Sequence, residues 1–251
     1  MYFKPIESTN SIDEAVLAQE WDGIAQERAY LIQSGTDISL LDVTEPFVIK
    51  NICQYQPTSI LDCGCGTGHL SALIAKKLNI PVDGIDFSGV SIDIAKQEYM
   101  DIKNLNFYKS SILSHSKLKK SYECCIANMV LMDITNLEGN LKAIRKMLKD
   151  TGVFVCTMTH PCFWPIYWNY FNEQWFDYNK EICIRAPFKV NGKILTETTH
   201  IHRPLENYLS CFKKSGFKLK EVHELYPTSS HLEIAYSYNY PRFIGFVCTA
   251  S

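Results

Sequence analysis

At 251 residues, 46% of them hydrophobic, the chain has the length of one α/β domain with an elaborated cap and enough apolar side chains for a large core. Charged residues make up 21% and almost cancel at a formal net charge of -2, which argues against a nucleic-acid backbone or an anionic membrane as the general partner. No run reaches the roughly 18 consecutive apolar residues of a membrane span, and residues 1–10 lack a basic start leading into an apolar stretch, so a cytoplasmic protein is expected.

In chain order, apolar spacing predicts helices over residues 12–30 and 45–53, ahead of the first strand at 59–63. A helix follows the glycines and ends near Asn79, where Pro81 blocks its continuation. Short strands are expected at Val82–Asp86, 105–108 and 122–129, with a helix at 90–99 between the first two. Next come a helix at 136–148, a turn at 149–152 and a β-branched strand at 153–159. Residues 161–203 change character: aromatic residues crowd short alternating segments, which reads as an insertion rather than a linker. A helix at Leu205–Lys214, stopped by Ser215-Gly216, leads to a strand at Phe217–Leu225, and a last strand at 243–249 is placed to pair antiparallel with it. Strands separated by helices predict a doubly wound, mostly parallel sheet. The ten cysteines lie in apolar runs or in the glycine loop without framework or CxxC spacing, so reduced thiols and no metal site are expected.

The chemistry concentrates at Ile60-Leu61-Asp62-Cys63-Gly64-Cys65-Gly66-Thr67-Gly68, a strand turning through glycines into a helix. Such a loop offers main-chain N–H groups and a positive helix end to a ligand. A dinucleotide fingerprint requires a further glycine where His69 stands, so a pyrophosphate fits poorly. Asp62, just before the glycines, would repel phosphate but suits a ligand with an ammonium group. Asp86 closes the second strand, 24 residues on, where a carboxylate can accept two ribose hydroxyls, and Phe87 can lie against an adenine. The plain alternative is that the glycines only permit close packing and that Asp86 only caps a helix; the two motifs in order on the right elements argue against it.

These residues resemble the Rossmann-like superfamily of S-adenosylmethionine (SAM)-dependent methyltransferases over nearly the whole chain. The segments that carry the resemblance are residues 60–68, 84–88, Ala127-Asn128-Met129-Val130-Leu131-Met132-Asp133 and the 149–152 turn. Thr159-His160-Pro161-Cys162-Phe163, followed later by His202-Arg203-Pro204-Leu205, is similar to a bacterial subgroup of generic small-molecule methyltransferases. The resemblance implies a seven-stranded sheet with the last strand antiparallel, residues 1–251 as one domain, 1–56 as an N-terminal helical lid and 161–203 as a cap. It implies SAM as cofactor, S-adenosylhomocysteine as product and no metal. It places Asp62, Gly64, Cys65, Gly66 and Gly68 around the methionine half, Asp86 and Phe87 at ribose and adenine, and Asn128 and Met129 facing the reacting centre. Tyr30 on the first helix is a further cofactor contact. Many members carry an acid after the third strand for the adenine amine; here the stretch is Lys109-Ser110-Ser111-Ile112, which leaves the Ser111 hydroxyl for that task.

Transfer from a sulfonium chiefly requires positioning and exclusion of water, with a base where the acceptor must lose a proton. His160, directly after the fifth predicted strand, is the candidate base, with Asn128 beside the reacting centre; a turn histidine bonded to main chain is the competing reading of His160. His200 and His202 read as ordinary strand or loop histidines for want of a nearby acidic pair. The expected acceptor is a small metabolite methylated on O, N or possibly C, with the insertion's aromatics walling the pocket and Trp21 and Tyr30 closing over the cofactor. RNA or protein methylation and a non-catalytic SAM-binding module stay open as alternatives. A nicotinamide-dependent oxidoreductase is disfavoured by His69. Asn128 is followed by Met129-Val130 and not by the prolines and aromatic that grip a flipped base, and the best basic cluster, Lys117-Leu118-Lys119-Lys120, reads as a solvated loop. Neither a membrane nor a nucleic-acid partner is expected, and oligomeric state is not legible.

Overall fold

Asp13 starts the first long helix by accepting the Ala15 N–H at 3.0 Å, the side-chain cap that frees the chain to turn helical. The computed structural model describes residues 4–5, 13–190, 193–227 and 239–250. After a two-residue strand β1 (Lys4–Pro5), helix α1 (Glu14–Gln33) runs three residues past its predicted end; the predicted start at Ile12 lies outside the described residues. A π-helical turn (Ser39–Thr44) feeds α2 (Glu45–Tyr55). The alternation then follows as β2 (Ile60–Cys63), α3 (His69–Leu78), β3 (Val82–Asp86), α4 (Gly89–Glu98), β4 (Leu105–Lys109), a one-turn helix α5 (Ile112–His115) that the periodicity does not reveal, and β5 (Tyr122–Asn128). Helix α6 (Leu137–Met147) leads into β6 (Leu148–Thr159), and after the insertion come α8 (Leu205–Lys214), β9 (Phe217–Leu225) and β10 (Phe243–Ala250).

The seven strands lie in the order β4-β3-β2-β5-β6-β10-β9, with β10 antiparallel to both β6 and β9. This is the doubly wound, mostly parallel sheet that the strand–helix alternation predicts, with its last strand reversed. One local expectation is corrected. The 149–152 turn is absorbed into β6 as a bulge: Tyr122 faces Leu148 and Cys124 faces Val153, so five steps on β6 oppose two on β5. Lys149, Asp150 and Thr151 are exposed, so polarity marks the bulge as it would a turn.

Central strands are buried on both faces, so both alternating sets of side chains are apolar. Leu61, Cys125, Phe154 and Phe246 pack under α6 and α8, while Ile60, Ile126, Val155 and Val247 pack under α2, α3 and α4. The insertion holds α7 (Trp164–Tyr167) and an antiparallel hairpin, β7 (Ile182–Val190) and β8 (Lys193–His202), to which β1 adds a third strand. Tyr170, Ile184 and Ala186 form a separate small core there with Trp164, Trp168, Trp175 and Phe176.

Helix α2 sits close to the sheet because Gly245 of β10 has no side chain: a Cβ there would lie 2.5 Å from the Phe47 ring. Gly245→Ala is therefore expected to destabilise the chain in chemical denaturation by about 1–3 kcal/mol, the usual cost of overpacking. Phe47→Leu in the same chain should recover part of that loss. Strict additivity of the two changes would show that they do not meet.

Candidate functional site

The chain leaves β2 for β3 on one side while β5 flanks it on the other, and a crevice opens where the connections diverge, at the carboxyl ends of the strands. A cavity of about 630 Å3 occupies that place, within the range of small-molecule sites. Its floor is the loop after β2. The Gly64 and Cys65 N–H groups both donate to the Ile85 carbonyl, at 2.8 and 3.0 Å, which locks the loop to β3. Gly66 has φ +53° and a Cβ built on it would meet nothing within 4 Å, so the main chain is open to close approach there.

Two carboxyl groups flank this loop. Asp62 is 1% exposed, and the one hydrogen bond to its carboxyl among the described residues comes from the Ser71 hydroxyl at 2.5 Å. Asp86 accepts the Gly66 N–H and the Ser88 N–H, each at 2.8 Å. Burial pushes the Asp62 carboxyl up to about 7 against the Ser71 hydrogen bond, with the nearby Asp86 charge raising it further. Burial pushes Asp86 up to about 6, offset by the Ser88, Gly66 and Phe87 main-chain donors and reinforced by Asp22. Neither forms an ion pair with any described residue. A ligand bringing an ammonium group to Asp62, ribose hydroxyls to the free lone pairs of Asp86 and a thin chain past Gly66 satisfies all three features, so the site fits SAM.

Beyond the loop the wall becomes aromatic. Trp21, Ala25, Arg28 and Ile32 of α1 line the cavity together with Trp164, Tyr167, Trp168 and Phe188 of the insertion. Trp21 meets Phe188 edge to face at 5.5 Å. Arg28 forms a half-buried ion pair with Asp37 and also lies over Phe188, and the Arg242 guanidinium stacks 3.8 Å from the Tyr167 ring centre. Helix α1 is held at both ends of the cleft. Asp22 accepts from the Ser88 hydroxyl at 2.5 Å and the Val90 N–H at 3.0 Å, and Glu20 accepts from the Thr199 N–H and hydroxyl at 2.8 and 3.1 Å.

Asp62, Gly64, Cys65, Gly66, Asp86, Phe87, Asn128 and Met129 all line the cavity. The Asn128 Oδ1 accepts the Thr157 hydroxyl at 2.6 Å, which fixes the amide with its NH2 group available as a donor. Met129 takes φ +61° as the chain leaves β5, and its N–H donates to the Thr157 carbonyl at 3.0 Å.

Four sequence-predicted residues lie elsewhere. Gly68 is not in the wall: a Cβ there would strike the Phe107 ring at 2.5 Å and Ala95 at 2.9 Å, so the position serves close packing. Tyr30 is 62% exposed on α1. The Ser111 hydroxyl caps α5, accepting from the Ser114 N–H at 3.2 Å. His160 is not brought to the cavity: it is buried, its Nδ1 accepts the Cys162 N–H at 3.2 Å, its Nε2 lies 3.8 Å from Glu224, and burial lowers its pKa. Its main-chain N–H donates to the Arg242 carbonyl at 2.8 Å and so helps hold the wall. His200 and His202 belong to the insertion, with His202 Nε2 3.0 Å from the Tyr178 carbonyl. Among the described residues no group of three or more His, Cys, Asp or Glu is placed to hold a metal.

Two residues that sequence reasoning passed over define the far side of the cleft. Asp133 lines the cavity from a one-turn 3-10 helix, Leu131–Asp133, after β5. Arg203, buried at the end of β8, donates to the carbonyls of Leu131, Ile134 and Thr135 at 3.4, 2.6 and 3.1 Å and pairs with Glu181 at 2.7 Å. The insertion thereby grips the very segment that carries Asp133. The signal available in the sequence was an acid inside an otherwise apolar run and an arginine within a motif of the resemblance.

Residues 56–209 match the family described as "Methyltransferase domain". The chain is 23% identical over 229 residues to the malonyl-[acyl-carrier protein] O-methyltransferase of Bacillus cereus, covering 88% of this chain and 83% of that one. It is 30% identical over 190 residues to the demethylmenaquinone methyltransferase of Lactococcus lactis, covering 70% and 72%. The fold is similar to the crystal structure of an S-adenosylmethionine-dependent methyltransferase from Clostridium acetobutylicum, with a TM-score of 0.62, 14% identity and coverage of 92% and 99%.

The raised carboxyls fix a pH dependence. Their folded values, about 7 and about 6, exceed those of free carboxylates, so the folded chain without ligand favours their protonated forms. The stability they contribute is full below about pH 4 and is lost as pH rises toward 7. For Asp62 the swing is on the order of 4 kcal/mol, at about 1.4 kcal/mol per pKa unit. Asp62→Asn is expected to flatten that part of the stability-against-pH curve in thermal melts. S-adenosylhomocysteine should release protons on binding near pH 6, read from the buffer dependence of the calorimetric heat; identical heats in buffers of different ionisation enthalpy would contradict it.

Proposed function

We propose, from the premise that this chain belongs to the methyltransferase domain family and is a SAM-dependent methyltransferase, that it methylates an O, N or C atom of a small molecule held in the aromatic half of the cavity. The observation that carries this reading is the continuity of the cavity: the loop between Asp62 and Asp86 and the ring wall of Trp21, Trp164, Tyr167, Trp168 and Phe188 line one chamber. Rigid apolar faces with a few polar handles suit a small acceptor. Two curated relatives, named for a malonyl-carrier-protein acceptor and for demethylmenaquinone, support methylation of small groups without identifying the acceptor of this chain.

In this reading Asp62 receives the ammonium group, Asp86 the ribose hydroxyls, Phe87 the adenine, and Gly64, Cys65 and Gly66 the methionine portion. When bound, SAM supplies a methyl group made electrophilic by its sulfonium. The chain's contribution is placement. Asn128, fixed by Thr157, and Met129, fixed by the same residue, set the wall between cofactor and acceptor. Helix α1 acts as the lid, with Asp22 bonded to the α4 end and Glu20 to the insertion, and residues 161–203 act as the cap that keeps water from the acceptor. A role for His160 as base has no support from its position, because both ring nitrogens face groups outside the cavity.

Calorimetry with S-adenosylhomocysteine tests the cofactor half of the reading. The native chain should bind it, and Asp86→Ala should weaken binding about 10- to 100-fold, the worth of a hydrogen bond to a charged group. Absence of binding to the native chain, or undiminished binding to the variant, would remove this site assignment.

A further inference from the structure

Asp133 stands apart from the other acids of the cleft. It is 9% exposed, it lines the cavity, and its carboxyl group makes no hydrogen bond or ion pair with any described residue. An unpartnered carboxyl so deeply buried costs several kcal/mol unless it is kept neutral or meets a donor. Its charged neighbours are already engaged. Glu20, from α1, is bonded to Thr199 and lies 3.6 Å from Arg185. Arg203, at the end of β8, spends its guanidinium on Glu181 and on three main-chain carbonyls. Tyr208, from α8, is the remaining titratable group facing Asp133, and its hydroxyl bonds to Arg203. The segment holding Asp133 is thus anchored on both sides while the carboxyl itself is left for something in the cavity.

We propose that Asp133 is the proton acceptor for the methyl acceptor, and that the methylated atom is an oxygen or nitrogen that carries a hydrogen and donates it to this carboxyl. The inference rests on the small-molecule reading above and narrows it. The acceptor presents an apolar, ring-like body to Trp21, Trp164, Tyr167 and Phe188 and an O–H or N–H group to Asp133. Its heteroatom forms a bond to the methyl carbon while the methyl–sulfur bond breaks with its electron pair leaving on sulfur. The proton lost by the heteroatom ends on the Asp133 carboxylate and leaves to solvent when product departs. Methylation of a thioether or of a nitrogen without a hydrogen, which releases no proton, is excluded by this assignment.

Burial and the Glu20 charge raise the Asp133 carboxyl well above the ordinary carboxylate range, against the lowering effect of Arg203. A group raised in this way is a stronger base once ionised. It must ionise to accept a proton, so the rate of transfer rises with pH through its folded value and levels above it.

The test uses the full chain, methyl-labelled SAM and a bacterial small-molecule extract, with labelled products identified by mass spectrometry. The expected product carries its new methyl on oxygen or nitrogen. Asp133→Asn should lower its formation about 100-fold or more, in line with the worth of a general base, and Asp133→Glu should restore part of it. S-adenosylhomocysteine affinity should stay within about threefold of native in both variants, and the native rise of rate with pH should be absent in Asp133→Asn. A new methyl on carbon or sulfur, or an Asp133→Asn rate within about threefold of native, overturns the proposal. If Asp133→Asn loses S-adenosylhomocysteine binding, product identity and the native pH profile decide: a flat profile overturns the assignment. If no labelled small molecule forms although S-adenosylhomocysteine binds, the small-molecule reading itself falls and this inference with it.

Discussion

The arrangement of the whole cleft follows from burying two carboxyl groups, Asp62 and Asp86, at the carboxyl ends of adjacent parallel strands. A parallel pair in register brings the ends of β2 and β3 together, because Asp62 faces Gly84 and Cys63 faces Ile85. The two acids then share one low-dielectric pocket, with only neutral donors to satisfy them. Such a pair is unfavourable as a charged couple in the empty fold and favourable once a cation and hydroxyl donors arrive. Selectivity against phosphate-rich ligands comes from the same source: main-chain N–H groups that would attract an anion are spent on Ile85 and Asp86.

That constraint explains why the remainder of the chain is built around covering the crevice. The sheet supplies a floor but no roof. Helix α1 crosses the top with Trp21, Ala25, Arg28 and Ile32, spaced four, three and four residues apart, on one stripe facing the cavity. The insertion supplies the other wall. The two meet through Glu20 and Thr199 and through Trp21 and Phe188, so the roof is a joint between segments about 180 residues apart in sequence. Arg203 closes the circuit by bonding the end of the insertion to the loop after β5. A buried arginine bonded to three main-chain carbonyls, the Glu181 carboxylate and the Tyr208 hydroxyl is held by protein groups from several segments, which makes this joint rigid.

Legibility in the sequence tracked how local the signal is. Strands and helices were readable because apolar period and breakers are local, and the glycine loop with Asp62 and Asp86 was readable because strand ends fix where those side chains gather. The 149–152 segment misled because an exposed bulge and a turn share one composition. Tyr30 is two residues from Arg28, about 200° around the helix, and so faces solvent while Trp21 faces the cavity; without knowing which face packs, sequence cannot choose. His160 follows a strand end, yet the direction of its imidazole is set by Cys162 and Glu224, the latter from a strand 64 residues later. Gly68 belongs to the motif, but its neighbours are Phe107 and Ala95, contacts made only in the fold.

Asp133 and the Asp62–Asp86 pair put the same physics to two uses. All three carboxyls are raised by burial, but their surroundings divide the work. Asp62 and Asp86 are fastened by Ser71, Gly66 and Ser88, so their lone pairs point in fixed directions, which suits recognition of a ligand with constant chemistry. Asp133 is placed through its main chain, whose N–H donates to the Val130 carbonyl while Arg203 holds the flanking carbonyls of Leu131, Ile134 and Thr135, and its carboxyl bonds to no described residue. A group meant to exchange a proton gains from that difference, since any permanent donor would stabilise the carboxylate and weaken it as a base. The lack of a partner for Asp133 among the described residues and the main-chain donors at Asp86 therefore mark where the cavity changes from holding to reacting.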